Sequence, residues 1–192
     1  MEAVAIAPTR DTDLVERARR GDLDAFESIV RDRMGAVYRL SLAITGNEAD
    51  AADATQDAFV AAWKQVVSLR DASRLEPWLG RIAVNAARMV VRSRSRRSVR
   101  EIRGIDTLAT TTAADASASG FSPADRDGRT LAAALERLDA DKRAILGLHH
   151  LEGRGIPEIA ATLGIPVGTA KSRLFNARRE LQAQITRLEA GR

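Results

Sequence analysis

Between residues 104 and 127 the chain reads GIDTLATTTAADASASGFSPADRD, a stretch with neither helical nor strand periodicity. Thirteen of its 24 residues are Ala, Ser or Thr, and its only large apolar side chains are Ile105, Leu108 and Phe121. So little burial cannot offset the entropy of ordering the backbone, so the stretch predicts a flexible linker. That one feature divides the 192 residues into a block of about 100 and a block of about 65, each the size of a small domain.

Both blocks pattern as helix. No run alternates apolar and polar residues between turn signals, and aromatics are 4% of the chain. Thr12 predicts the cap of a first helix running to Gly21, with Leu14, Val15 and Ala18 on one face. A second helix, from about Asp24 to Thr45, places Phe26, Ile29, Val30, Val37, Leu40 and Ile44 at helical spacing, and Gly46 stops it. Asn47 or Glu48 opens a third, to about Leu69. A fourth spans about Pro77 to Ser98 and ends in arginines. Phe26, Tyr38, Phe59, Trp63, Trp78 and Phe175 lie on or beside apolar stripes, which predicts core packing for all six.

The most specific pattern is GIPEIAATLGIPVGTAKSRLFNARREL, residues 155–181. Pro157 starts a short helix ending near Leu163, Gly164 supplies the tight turn, and a second helix runs from about Val167 to Gln184. A small residue (Ala160) four before a residue that tolerates positive φ (Gly164) is the spacing of a helix-turn-helix. The second helix exposes Thr169, Lys171, Ser172 and Arg173, then Asn176, Arg178 and Arg179. In this motif such residues meet base edges in the major groove and the flanking phosphates. A helical hairpin with a merely solvated basic face explains the charge but not the glycine placement. The module is expected to bind DNA.

Charge is unevenly distributed. The total is 30 Lys plus Arg against 26 Asp plus Glu, a formal +4, with Lys only at 64, 142 and 171. From Arg81 to Arg103 there are eight arginines and one acid, Glu101; from Gly46 to Ala58 there are four acids and no base. A GC-rich genome would also enrich Arg, so position carries the argument. Arg81, Asn85, Arg88 and Arg92 recur every three or four residues and form one polar helical stripe. Asn and Arg are the side chains that read adenine and guanine and hold phosphates, although a solvated charged face has the same spacing.

Three segments, DAADATQDAFVAAWKQ (50–65), WLGRIAVNAARMVVRSRSRR (78–97) and the helix-turn-helix motif, together resemble the extracytoplasmic-function group of bacterial sigma factors. These are small sigma factors that keep only the two domains called sigma2 and sigma4. The resemblance runs from about Asp13 to Ile185, the linker excepted. It implies an all-α chain: a sigma2-like helical bundle over residues 1–103, the linker over 104–127, and a sigma4-like helix-turn-helix domain over 128–192. It implies that Asp50, Asp53, Gln56 and Asp57 dock on the clamp helices of the largest subunit of core RNA polymerase. Arg81, Asn85, Arg88 and Arg92 would hold the promoter −10 element, and the loop 70–77 would capture a flipped base. Thr169, Lys171, Ser172 and Arg173 would read the −35 element, with Arg178 and Arg179 on its phosphates. Further implied partners are the flap of the second-largest polymerase subunit and an anti-sigma factor, which can hold such a protein at the membrane. The sequence departs from the usual pattern at Leu75, often Phe, and Met89, often Asp.

Other classes find little support. No cysteine is present, which excludes thiolate metal sites and disulfides. His149 and His150 are adjacent, so on a helix they diverge by about 100°. No phosphate-loop or nucleophile-elbow pattern occurs, so neither an enzyme nor a cofactor is expected. The first residues, MEAVAIAPTRDTD, lack the basic start and sustained apolar segment expected of a secretory signal, and no run approaches the roughly 20 apolar residues of a membrane span, so a cytoplasmic protein is expected. A free-standing helix-turn-helix transcription activator is the alternative; it requires a regulatory first domain.

Overall fold

The computed structural model describes residues 10–103 and 126–190, with side chains described through 96 and again from 127. The expected linker lies almost wholly outside the described residues. Every regular element among the described residues is helical.

The N-terminal half contains four helices. Helix α1 (Arg10–Arg19) begins two residues before Thr12, so Thr12 is not its cap. Asp11 and Asp13 instead place negative charge in the first turn, where the helix dipole favours it. Helix α2 (Leu23–Thr45) is capped by Asp22, whose carboxylate accepts the Ala25 amide at 3.0 Å, and it ends at Gly46 with φ 82°. Helix α3 (Glu48–Gln65) is capped by Asn47, which accepts the Asp50 amide at 2.8 Å. It tightens into a 3-10 turn, Val66–Ser68, before reaching Leu69. A second 3-10 turn, Ala72–Arg74, leads into α4 (Leu75–Arg103), so Pro77 sits in the first turn, where its missing N–H costs nothing. Phe26, Ile29, Ile44, Phe59, Leu79 and Val84 fill the interior. The rings of Phe26 and Trp63 meet at 5.0 Å, tilted by 55°.

The C-terminal half adds α5 (Arg126–Glu136), α6 (Ala140–His150), α7 (Ile156–Leu163) and α8 (Val167–Ala190). Glu158 reaches back to accept the Gly155 amide at 2.8 Å, and Gly164 (φ 64°) makes the turn between α7 and α8. Leu148, Ile145, Ile159, Leu174 and Ala177 are buried between these helices.

The two halves pack against each other. Helix α6 crosses α2 at Gly147, where an added Cβ would lie 3.2 Å from Leu40 Cδ1 and 3.5 Å from Ala43 Cβ. Helix α7 crosses α4 at Gly80, where an added Cβ would meet Thr162 Cγ2 at 3.3 Å. Opposite charges bridge the seam. Arg154 Nη2 lies 3.2 Å from Glu76 Oε2, and Arg88 Nε lies 2.7 Å from Asp141 Oδ1. Arg143, pushed below its ordinary pKa by burial, lies at the C-terminal end of α2 beside Gly46.

Candidate polymerase and nucleic-acid interfaces

Helix α3 has two faces of different chemistry. Ala51, Ala54, Thr55, Ala58, Phe59 and Ala62 point inward. Asp53, Gln56 and Asp57 are exposed at helical spacing on the opposite side. Asp50 differs from them. Its carboxylate accepts from Asn47 Nδ2 at 2.7 Å and pairs with Arg94 on α4 at 3.1 Å, leaving the side chain 22% exposed. Three of the four acidic-motif residues therefore present a free polar stripe, while the fourth ties α3 to α4. Val60, one turn beyond Gln56 and Asp57, continues the stripe and is 46% exposed. Sequence reasoning passed over it; the signal available was its spacing, seven residues after Asp53.

On α4, Asn85 and Arg92 are exposed, with Met89 (55% exposed) between them. Arg81 is also exposed, but its guanidinium lies over the α7–α8 turn, 3.5 Å from where a Gly164 Cβ would stand. Arg88 does not join this open stripe. Its side chain is 17% exposed and is held against Asp141 of α6, an ion-pair contact without hydrogen-bond alignment. Arg88 thus has an acidic partner, supplied by the other half of the chain.

The turn between α7 and α8 presents α8 outward. Ala170, Leu174 and Ala177 are buried, and Lys171, Ser172, Arg173, Phe175, Asn176, Arg178 and Arg179 are exposed. Thr169 is half-buried, and its carbonyl accepts from the Ser172 hydroxyl at 3.0 Å. Arg178 Nε donates to His150 Nε2 at 3.4 Å; burial, together with His149 and Arg178, holds the His150 pKa below its ordinary value. The expectation of core packing fails for Phe175, which is 65% exposed. It follows Leu174 by one residue, about 100° around the helix, and so leaves the buried stripe for the outer ridge beside Ser172 and Arg179. Arg173 and Asn176 look instead into a cleft of about 480 Å³, whose opposite wall carries Arg92.

The histidine rings meet edge to face at 4.8 Å, and His149 Nδ1 lies 3.0 Å from the Arg154 carbonyl oxygen. Among the described residues no cluster of three or more His, Asp or Glu could hold a metal ion, and no helix is long and apolar enough to cross a membrane.

Comparison with known proteins places these surfaces in a family. Residues 29–97 match the model for sigma-70 region 2, and residues 128–181 match that for sigma-70 region 4. An ECF RNA polymerase sigma-E factor of Haemophilus influenzae is 32% identical over 188 residues, spanning 91% of this chain and 95% of that protein. The ECF RNA polymerase sigma factor SigE of Mycolicibacterium smegmatis is 32% identical over 160 residues, spanning 83% of this chain but only 61% of that protein. The sigma factor RpoE of Bartonella quintana, solved in complex with the anti-sigma factor NepR, superposes with a TM-score of 0.64 at 26% identity, covering 84% of this chain and 96% of that one. With two sigma-70 regions in order on an all-helical chain, and a relative matched over nearly its whole length, this chain belongs to the ECF group of RNA polymerase sigma factors.

Proposed function

We propose that this chain binds core RNA polymerase and directs it to promoters by recognising a −10 and a −35 element. The observation that carries the reading is the coexistence, on one chain, of an open acidic stripe on α3 with exposed Asn and Arg on α4 and on α8. Asp53, Gln56 and Asp57 suit a basic partner helix of the polymerase, and Asp50 fixes the helix that carries them. The first helices, through residue 103, then form the sigma2 unit, and residues 128–192 the sigma4 unit.

On α4, Asn85, Arg92 and Arg81 face the melted −10 strand, with Arg88 joining once freed from Asp141. Extruding a base costs a few kcal/mol, least where the duplex is weak, so recognition and melting are one step. On α8, Lys171, Ser172 and Arg173 read −35 base edges while Arg178 and Arg179 hold phosphates. The polymerase performs the chemistry, and this chain supplies the address. An anti-sigma factor, as in the Bartonella complex, is the partner expected to restrain it. The activator alternative requires a regulatory first domain, and the region 2 match occupies that position.

Run-off transcription with purified core polymerase on genomic fragments tests the reading. Discrete start sites that depend on added chain are expected. A chain that neither binds core in the absence of DNA nor changes the transcript pattern would overturn it.

A further inference from the structure

Leu69 and Leu75 anchor the two ends of the connection between α3 and α4 in the core, and what lies between them is nearly all surface. Arg70, Asp71, Ser73 and Arg74 are exposed, and no residue of the 3-10 turn Ala72–Arg74 is buried. Asp71 shapes that turn locally, accepting the Ser73 amide at 3.0 Å and the Ser73 hydroxyl at 2.6 Å. A turn that buries so little takes its position from what it rests on, which here is α1 on one side and α4 on the other. Arg33 of α2 ties those two supports together. Its Nη2 donates to Asp11 Oδ2 in the first turn of α1 at 2.7 Å, and its Nε donates to Glu76 Oε1 in the first turn of α4. The partners are 22 and 43 positions away in sequence, and the Arg33 side chain is 22% exposed. Arg10 and Asp32, paired at 3.2 Å, join α1 to α2 without reaching α4.

We propose that Arg33 is a positioning residue for −10 recognition: by clamping Asp11 to Glu76 it sets the frame of loop 70–77, and with it which base that loop accepts. Arg33 acts through the two carboxylates, not on the strand. A guanidinium is a rigid planar fork, so donating to two carboxylates at once fixes the direction between them as well as their separation. A lysine ammonium in the same place would attract both acids and fix no direction. Choice between bases depends on a few polar groups held at hydrogen-bond distance, and the exposed polar groups of this loop have no burial of their own to hold them there. Glu76 also meets Arg154 of the C-terminal half at 3.2 Å, whereas Arg33 and Asp11 both lie in the N-terminal half, so these two are the residues to change.

This role for Arg33 rests on the sigma-factor reading above, and the two fail separately. One promoter recovered by run-off transcription is changed to each other base, one position at a time, through the −10 and the −35 element. Discrimination at a position is the ratio of run-off from the parent promoter to run-off from the changed one, measured with the chain bound to core polymerase. Arg33→Lys keeps the charge and loses the fork; Asp11→Asn keeps the shape and loses the charge. The Asp11 side chain is 40% exposed, so that variant serves should Arg33→Lys not fold. Circular dichroism and core binding without DNA check that each variant folds and docks. Each is expected to lower discrimination about fivefold or more at the −10 position where wild type is most selective, and to leave −35 discrimination unchanged. The double variant should lose no more than Arg33→Lys alone, because both changes act through one contact. Three results would overturn the positioning role: unchanged −10 discrimination in either folded variant, an equal loss at every −10 and −35 position, or losses that simply add in the double variant. Wild-type chain that directs no transcription would overturn the functional reading instead.

Discussion

The α3 stripe combines charge with one apolar side chain, and the two should respond differently to salt. Val60→Ala removes two methyl groups, worth about 1.6 kcal/mol when fully buried at ~0.8 kcal/mol each. Val60 is 46% exposed in the free chain, so only about half of that, ~0.7 kcal/mol, is newly buried on docking. The expected loss is about threefold in Kd. Asp53→Ala combined with Asp57→Ala removes two exposed charges, and exposed ion pairs contribute about 0.2–1 kcal/mol apiece. The double variant should therefore lose roughly two- to thirtyfold. Salt separates the two: exposed charges are largely screened beyond about 8 Å at physiological ionic strength but already beyond about 3 Å at 1 M, so the aspartate loss should shrink as salt rises while the valine loss persists. Fluorescence anisotropy of labelled chain titrated with core polymerase, without DNA and at several salt concentrations, reads both. Because all three residues face outward on α3, thermal stability should not change. Core affinity unaltered by both variants would refute docking through this stripe. An aspartate loss that ignores salt would refute its electrostatic origin.

Three further outcomes follow from the geometry. Gly164→Ala should cost about 1–2 kcal/mol in urea unfolding with an unchanged slope, because φ is 64° there while the new Cβ would meet Arg81 only at ordinary contact distance; an unchanged midpoint would refute backbone strain as the reason for glycine. Burial lifts the Glu152 pKa above its ordinary value, against the opposing pull of Arg39 and Arg154. The folded chain therefore holds this proton to higher pH than the unfolded chain does: the contribution to stability is fully present below the ordinary glutamate pKa and is lost as pH rises through the raised one. Glu152→Gln should accordingly raise Tm near neutral pH, with the gain vanishing toward about pH 4; a gain equal at both ends would refute the charge as its cause. Arg173→Ala should cost about 1–3 kcal/mol on a specific −35 duplex, whereas Arg179→Ala should weaken binding to any duplex and flatten its salt dependence; identical profiles for the two would remove the distinction between base and phosphate contacts.

Local signals were readable where one residue decides the backbone. Gly46 and Gly164 stop α2 and α7 where the pattern placed them, and both have positive φ. Pro157 and Asn47 mark helix starts for equally local reasons. Thr12 misled because it lies inside α1, where Asp11 and Asp13 beside it supply the first-turn charge. Phe175 misled because lying next to a stripe is not lying on it; one residue of offset turns a core aromatic into a surface one. The candidate stripes were legible as spacing, since Asp53, Gln56 and Asp57 must share a face on any helix. Which members are already engaged was not, because the partners of Asp50 and Arg88 lie 44 and 53 positions away in sequence, at Arg94 and Asp141. The seam between the halves left still less trace. Gly80, Gly147 and Arg154 carry it one at a time, and none stands out until the helices are laid across each other.

The inward face of α3 is made largely of alanine, at 51, 54, 58 and 62, and α3 packs against both α2 and α4. Side chains this short let two helices approach with little between them that can deform. Asp50 and Arg94 then pin one end of the pair, as a bolt fixes a hinge plate. The consequence is metric. On the proposed reading, in which α3 docks on the polymerase and α4 holds the opened strand, the two helices form a single ruler, with small side chains leaving little in the joint that can stretch. The offset between docking point and captured base would then be a length that four alanines help to write.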